Sequence, residues 1–190
     1  QGRRLLILSL VMIVIISGLI LYANKDIHRI KSGKQPPLWW EGKEEYELEI
    51  FRLHNKQAKI DAFNIELSDF YIFPEVDRFH FAFWYKKWHH PKQFINGQSH
   101  AVADFYLTDD QGRTYEANRL IINADASLFE NYQLRAAEGI DIENIQTLTL
   151  TIQMLDETGA PNHQVPAKDI LIYDAATDVW EVYVEKQRDL

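Results

Sequence analysis

The histidines after residue 88 are the side chains of this sequence best suited to chemistry. His89 and His90 are adjacent, and His100 lies nearby. Neutral imidazoles are common ligands of zinc and copper. Neighbours in a strand point to opposite faces, so His89 and His90 bind one ion only across a turn, which Pro91 can supply. One hypothesis is therefore a metal-binding domain or metalloenzyme centred on His89, His90 and His100.

Other catalytic arrangements have little support. The chain has no Cys, which excludes disulfides, thiolate metal sites and a cysteine nucleophile. It contains no His-Glu-x-x-His motif, no Gly-x-Ser-x-Gly motif and no Gly-rich phosphate loop. Asp109-Asp110 precedes Gln111-Gly112, which is typical of a hairpin turn and does not match a twelve-residue calcium loop. We expect that the protein is not an enzyme and that it holds neither a metal ion nor another cofactor.

Aromatic side chains outside the core are better candidates for function. Trp39 and Trp40 stand where the domain begins, and Trp88 follows a strongly aromatic strand. Exposed tryptophan can stack on sugars, bury itself against a partner protein or rest at a membrane interface. We predict an interaction surface drawn from Trp39, Trp40, Trp88, His89 and His90.

The first 23 residues predict a membrane helix. Leu5 to Ala23 carries no charge, and as an α-helix it spans roughly 28 Å, close to the thickness of a bilayer core. A cleaved signal peptide is the alternative, and it needs small residues at −3 and −1 of the cut. Leu21-Tyr22-Ala23 supplies only the alanine, which favours an uncleaved signal anchor over 1–23.

Residues 24–37 form a basic linker that ends in Pro36-Pro37. Four of its cations are expected to contact lipid headgroups: Lys25, Arg29, Lys31 and Lys34. A strict count of Lys and Arg beside the helix places the domain in the cytoplasm, whereas Arg3 and Arg4 resemble the start of an exporting signal anchor. We expect a single-pass protein of the plasma (cytoplasmic) membrane with an extracytoplasmic C-terminal domain.

Residues 38–190 have the pattern of one antiparallel β domain of about eight or nine short strands. The strands are predicted at 45–50, 59–66, 69–73, 78–85, 101–108, 113–117, 146–155, 170–173 and 179–185. In 78–85, Phe79, Phe81 and Phe83 share the face predicted for the core. Trp84 points to the other face, which such a sheet leaves exposed.

The segment 123–144 lacks alternation and is expected to cross between the sheets. Ser127 can cap a short helix with Glu130 three residues on, as in a capping box, and Gly139 can end it. The sequence therefore predicts an all-β fold with one short helical crossover.

A resemblance follows from these parts taken together. The anchor, the linker, the acidic β domain, the Leu-Thr-Asp-Asp-Gln-Gly-Arg-Thr-Tyr hairpin (107–115) and the Leu-Thr-Leu-Thr-Ile strand (148–152) resemble bacterial membrane-anchored immunoglobulin-like domains. The resemblance implies an antiparallel immunoglobulin-like β-sandwich over 38–185 and carries over no functional site. The cysteine pair of the antibody-type domains is absent.

Charge and architecture give the functional hypotheses. The net charge of −8 argues against nucleic acid as a partner. The first hypothesis is a non-catalytic accessory subunit or interaction module of a membrane or cell-envelope complex, with the lipid bilayer and a membrane or envelope protein as partners. The second is a carbohydrate or cell-wall binding module that uses the exposed tryptophans.

Overall fold

An apolar helix, α1 (Gly2–Ala23), opens the structure. The structure is a computed structural model that describes residues 2–25, 28, 31–32, 49–90, 94–95, 98–99, 101–117, 119–125 and 129–183. By length and composition α1 can cross a membrane, and none of the window Leu6–Ala23 is buried against the rest of the chain. Membrane anchors and signal sequences both have helices of this kind.

Fourteen strands follow within the described residues. They are β1 (Phe51–Leu53), β2 (Lys59–Ile60), β3 (Ile65–Leu67), β4 (Phe70–Phe73), β5 (Arg78–Lys86), β6 (Phe94–Ile95), β7 (Gln98–Ser99), β8 (Ala103–Asp109), β9 (Thr114–Glu116), β10 (Arg119–Asp125), β11 (Glu130–Glu138), β12 (Thr147–Met154), β13 (Lys168–Asp174) and β14 (Glu181–Val182). The predicted number was too low, in part because β2, β6, β7 and β14 have only two residues each and show no periodicity. The predicted strand over 45–50 lies almost wholly outside the described residues, and Glu49 and Ile50 are not in a strand.

The strands form two antiparallel sheets and a separate hairpin. The larger sheet has the order β10-β11-β5-β4-β1-β14, and β2 joins it through β3, which pairs with β5. The smaller sheet has the order β13-β12-β8-β9, and β6 pairs with β7. This confirms the predicted antiparallel all-β domain after an apolar helix.

The two sheets share one hydrophobic core. Phe79, Phe81 and Phe83 of β5 are fully buried in it, as predicted. The ring of Phe105, from the smaller sheet, lies 5.1 Å from that of Phe81 and 4.8 Å from that of Phe83. Residues in β8 and β12 alternate between buried and half-buried, and both strands overlap the ranges predicted for them, 101–108 and 146–155.

The turn after β8 confirms the hairpin prediction. Gly112 has a φ of +77°, a backbone conformation that glycine adopts at little cost. The buried Asp109 carboxylate accepts hydrogen bonds from the Arg113 side chain at 2.6 Å and from the Tyr115 hydroxyl at 2.8 Å. Burial opposes its ionisation, but these bonds prevail and lower the pKa of Asp109 to about 2. The Asp109 carboxylate thus stabilises the turn.

The expectation of an exposed face on β5 was wrong. His80, Ala82 and Trp84 lie on the face opposite Phe81, and all three are buried. Large neighbours flank them on the adjacent strands: Tyr71 pairs with His80 in register, and Tyr132 pairs with Trp84. Since β5 is covered on both faces, its alternation of Phe with other residues does not mark a boundary between core and solvent.

The short helix predicted within 123–144 was also wrong, although the chain does cross from the larger sheet to the smaller one between β11 and β12. Residues 130–138 form β11, a strand between β10 and β5, and Gly139 ends that strand with a φ of +83°. Polar and apolar residues alternate from Asn131 to Ala136, but eight of the nine residues are buried, and the polar Gln133 and Arg135 share the core face with Phe83 and Phe81. Ser127, the predicted cap, lies outside the described residues.

One face of β11 places polar side chains inside the core. Arg135 is 1% exposed and lies beside the rings of Phe83 and Phe105, at 5.7 and 5.6 Å from their centroids. Its guanidinium donates to the Gln133 amide oxygen at 2.9 Å and to the Ala103 carbonyl at 3.1 Å. Burial lowers the pKa of Arg135 to about 10, so it stays charged at neutral pH.

Candidate functional site

A charge cluster (Lys31, Glu66, Lys86 and Glu130) lies at the end of the larger sheet where β5 stops and β11 begins. The Lys31 ammonium donates to both Glu130 carboxylate oxygens, at 2.9 and 3.0 Å. Lys86, opposite Glu130 in register, donates to the same carboxylate at 2.5 Å. Glu66 stands 3.8 Å from Lys31. Two cations and two carboxylates therefore alternate in one compact group.

Trp84 forms the floor of the charge cluster. Its indole N–H donates to Glu66 at 2.7 Å, and the Lys31 ammonium lies 5.0 Å from its ring centroid. The side chain is 4% exposed, so a cation is held over a mostly desolvated ring face, where such contacts are strongest. The sequence predicted an exposed Trp84, whereas in the structure its ring packs against the Lys31 ammonium.

Lys31 reaches the cluster from a helical segment that follows α1. Backbone bonds of helical spacing join Asn24 to Ile20, His28 to Asn24 and Ser32 to His28, at 3.0 to 3.1 Å. At the 1.5 Å rise of an α-helix, eight residues beyond Ala23 correspond to roughly 12 Å along a helix axis. The linker that the sequence predicted therefore contains helical turns, and Lys31 ties them to the sheet.

The cations predicted to contact lipid headgroups differ from one another in their surroundings. Lys25 is exposed, and its ammonium lies 4.4 Å from the ring centroid of Tyr22. Lys31 is half-buried in the charge cluster. Arg29 and Lys34 lie outside the described residues. Contact of these four cations with lipid stays a prediction.

Glu130 is the centre of the charge cluster. Burial disfavours its charged form, but the hydrogen bonds from Lys86 and Lys31 prevail and hold the pKa of Glu130 below its ordinary value of 4.5. Its carboxylate therefore stabilises the fold fully above that ordinary value, and the contribution is lost as pH falls through the lowered pKa.

We predict that Glu130→Gln lowers the free energy of unfolding by about 1–2 kcal/mol at neutral pH, because two charge-assisted hydrogen bonds are weakened. Urea unfolding of the full chain in detergent measures this. The difference from the unsubstituted protein should shrink as the pH falls below the ordinary value of 4.5 and through the lowered pKa of Glu130 in the folded protein. Glu157→Gln, at an exposed turn, is the matched control. Equal effects of the two substitutions at neutral pH would show that the cluster contributes no stability.

An aromatic patch (Trp88, His89 and Phe129) adjoins the charge cluster. Trp88 is 63% exposed and Phe129 is 53% exposed, and their rings meet edge to face with centroids 6.3 Å apart. His89 is exposed, and its ring lies 6.0 Å from that of Trp88. The backbone N–H of Lys87 donates to the Phe129 carbonyl at 3.0 Å, which holds the two segments together.

His90 differs from its neighbours in the predicted interaction surface. Its Nε2 lies 2.6 Å from the Phe63 carbonyl, which can only accept, so Nε2 carries the proton and donates. The ring packs edge to face on Tyr85 at 5.5 Å. Burial lowers the pKa of His90 and keeps the ring neutral at pH 7. This arrangement fixes the loop after β5 to the Phe63 segment and leaves only Nδ1 for a metal ion.

Three candidate residues from the sequence cannot be placed in the structure. Trp39, Trp40 and His100 fall outside the described residues. In the part of the chain that the structure describes, no three His, Asp or Glu side chains converge as a metal site would require.

Two features of this region carried no signal in the sequence. Phe129 and Trp88 are far apart in the chain and meet because β5 pairs with β11. Lys31 and Glu130 are 99 residues apart, so their ion pair has no local pattern. No protein-family model, curated protein or solved structure matches the chain significantly.

Proposed function

We propose that this protein is a single-pass membrane protein whose immunoglobulin-like β-sandwich acts by contact, as a non-catalytic accessory subunit or interaction module of a membrane or envelope complex. In this proposal α1 is retained as the anchor in the plasma membrane, and the domain lies on the extracytoplasmic side. Its partners are the lipid bilayer and a membrane or envelope protein.

The observation that carries the proposal is the attachment of the helical segment to the sheet through Lys31. An anchored domain on a free tether samples all orientations, whereas Lys31 is held by Glu130 and Trp84 at a fixed place on the larger sheet. The two hydrogen bonds to Glu130 and the contact with the Trp84 ring restrict rotation of the domain relative to the helical segment. A module that must present one side to a neighbour in the same membrane benefits from this restriction.

The proposed contact surface is the membrane-proximal end of the domain. It comprises Trp88 and His89 of the aromatic patch, and the sequence adds Trp39 and Trp40, which lie outside the described residues, as further candidates. Tryptophan side chains that stay exposed on a folded domain are common anchors of interfaces. His90 is left out, because its Nε2 is already bonded to the Phe63 carbonyl.

Photo-crosslinking tests the protein partner. A benzophenone amino acid replaces His89 in the full chain, which is illuminated in its own membranes. We expect a crosslinked product of one discrete added mass. The same amino acid at Leu171, an exposed position on a strand of the smaller sheet, is the control. No product, or identical products from both positions, would contradict a partner at this end of the domain.

The carbohydrate-binding hypothesis rests on the exposed Trp88 ring. Sugar binding favours a flat aromatic face, and Trp88 offers one ring, since Phe129 is turned 62° from it. Retention of the detergent-solubilised full chain on purified wall polymer, lost in Trp88→Ala, would support this second function over the first.

A further inference from the structure

The aromatic patch lies at the end of the domain to which Lys31 is bound. Trp88 comes two residues after β5 ends, and Phe129 immediately precedes β11. Glu130, next to Phe129, binds Lys31 of the helical segment, and Lys86, two residues before Trp88, binds the same carboxylate. The exposed rings are therefore one or two residues away from the point where the domain meets the segment that leads to the membrane helix.

The height of this point above the bilayer core follows from the helix. An α-helical rise over the eight residues from Ala23 to Lys31 corresponds to about 12 Å, and a headgroup layer adds roughly 5–8 Å to each side of the hydrocarbon core. A tryptophan or phenylalanine side chain extends about 6 Å from its backbone, so rings beside Lys31 are within reach of the headgroup layer. Tyr22, at the end of α1, is a further aromatic residue at this level.

The charge around the patch is favourable for lipid. The ammonium of Lys86 lies 5.8 Å from the Trp88 ring centroid, Lys87 is the next residue, and Lys25 is exposed at the end of the helix. Lysines beside aromatic rings suit a surface of phosphate groups over an apolar layer, where Trp is enriched. The charge cluster itself is balanced, so Lys25 and Lys87 supply the positive charge that this aromatic end adds to an otherwise acidic chain.

We propose that the Trp88–Phe129 pair rests in the headgroup layer of the membrane that α1 anchors, and that the charge cluster holds it there. This inference rests on the proposed function, since it requires α1 to span the bilayer, and it assigns the lipid surface to part of the contact surface. His89, Trp39 and Trp40 are left for the protein partner.

The absence of cysteine makes a direct test possible, because a single introduced cysteine labels one site. Phe129→Cys and, as control, Val179→Cys are labelled with the environment-sensitive dye NBD in the full chain. Val179 is 75% exposed and precedes Trp180, whose ring contacts Phe79 near the start of β5. It thus lies about 23 Å along β5 from the end that bears Trp88.

Each labelled protein is reconstituted in phosphatidylcholine vesicles, with and without a quarter of phosphatidylglycerol. We expect the label at 129 to brighten several-fold on reconstitution and to be quenched by lipids that carry a nitroxide on the headgroup. The label at 179 should do neither. Trp88→Cys, labelled in the same way, is a second position for which we expect the result seen at 129.

Each of the other outcomes contradicts either the lipid contact or the membrane anchor. If the protein floats with the vesicles and resists alkaline extraction but the labels at 129, 88 and 179 behave alike, the lipid contact is wrong and the anchor stands. If the label at 129 is shielded only in native membranes, a protein covers the patch and the inference fails. If the protein does not float, the anchor itself is wrong, and the inference falls with it.

Discussion

Phe81→Ala is expected to lower the free energy of unfolding by about 3–5 kcal/mol, a large part of the stability of a typical domain. Phe81 is fully buried between the sheets, with the rings of Phe70 and Phe105 at 5.8 and 5.1 Å. Its removal leaves a cavity that these fixed neighbours cannot fill. Urea unfolding of the full chain in detergent, followed by tryptophan fluorescence, measures the effect.

Phe129→Ala is the matched control for this substitution. It removes the same side chain from a position that is 53% exposed, so the expected change is within about 0.5–1 kcal/mol. Similar losses at both positions would mean that Phe129 belongs to the core and that the aromatic patch is not a surface. The pair therefore separates structural from interacting aromatics in one experiment.

The second large effect concerns α1. Arginine at the centre of a membrane helix costs about 2.5–3.5 kcal/mol per residue. We expect the double substitution of Val11→Arg and Val14→Arg, near the middle of α1, to move most of the protein out of the membrane fraction after alkaline extraction. Immunoblotting of membrane and soluble fractions gives the ratio.

Tyr22→Arg is the control for that substitution. It adds one of the same charges at the end of α1, where an arginine can reach the headgroups at little cost. This protein should stay in the membrane fraction. Release of both variants, or retention of both, would contradict a bilayer-spanning role for the central residues of α1.

Alternation predicted those parts of the fold that have one face in the core. In β12, Leu148, Leu150 and Ile152 are fully buried and the threonines between them are half-buried, which is the pattern that the sequence shows. The hairpin after β8 could also be predicted, because Gly112 supplies the positive φ that its turn requires. In both places the pattern that predicts the structure involves residues close together in the chain.

Where a strand is buried on both faces, the same reasoning failed. β11 places Gln133 and Arg135 in the core, where the Ala103 carbonyl and the Gln133 amide oxygen accept hydrogen bonds from the buried guanidinium. Residues 131–136 alternate between polar and apolar, which favours a strand with its polar face in solvent, whereas Gln133 and Arg135 share the core face with Phe83 and Phe81. The capping-box pattern of Ser127 and Glu130 predicted a short helix there instead, and that prediction was misleading. Trp84 was also misassigned, since Lys31 lies over its ring.

The candidate site was predictable only in part. Trp88 and His89 are exposed next to one another, in agreement with a surface role, whereas His90 turns to the Phe63 carbonyl, a group that has no side-chain signature. The charge cluster depends on contacts between segments far apart in the chain. Sequence patterns describe neighbours, and the cluster is built from residues that become neighbours only through the sheet.

The most direct test of the account is native mass spectrometry of the full-length protein, purified from its own membrane in mild detergent. We predict a chain that still carries α1, in a stoichiometric complex with a second membrane or envelope protein. A chain cleaved after Ala23 would contradict the anchor. A chain that retains α1 but is recovered alone would contradict the role as an accessory subunit.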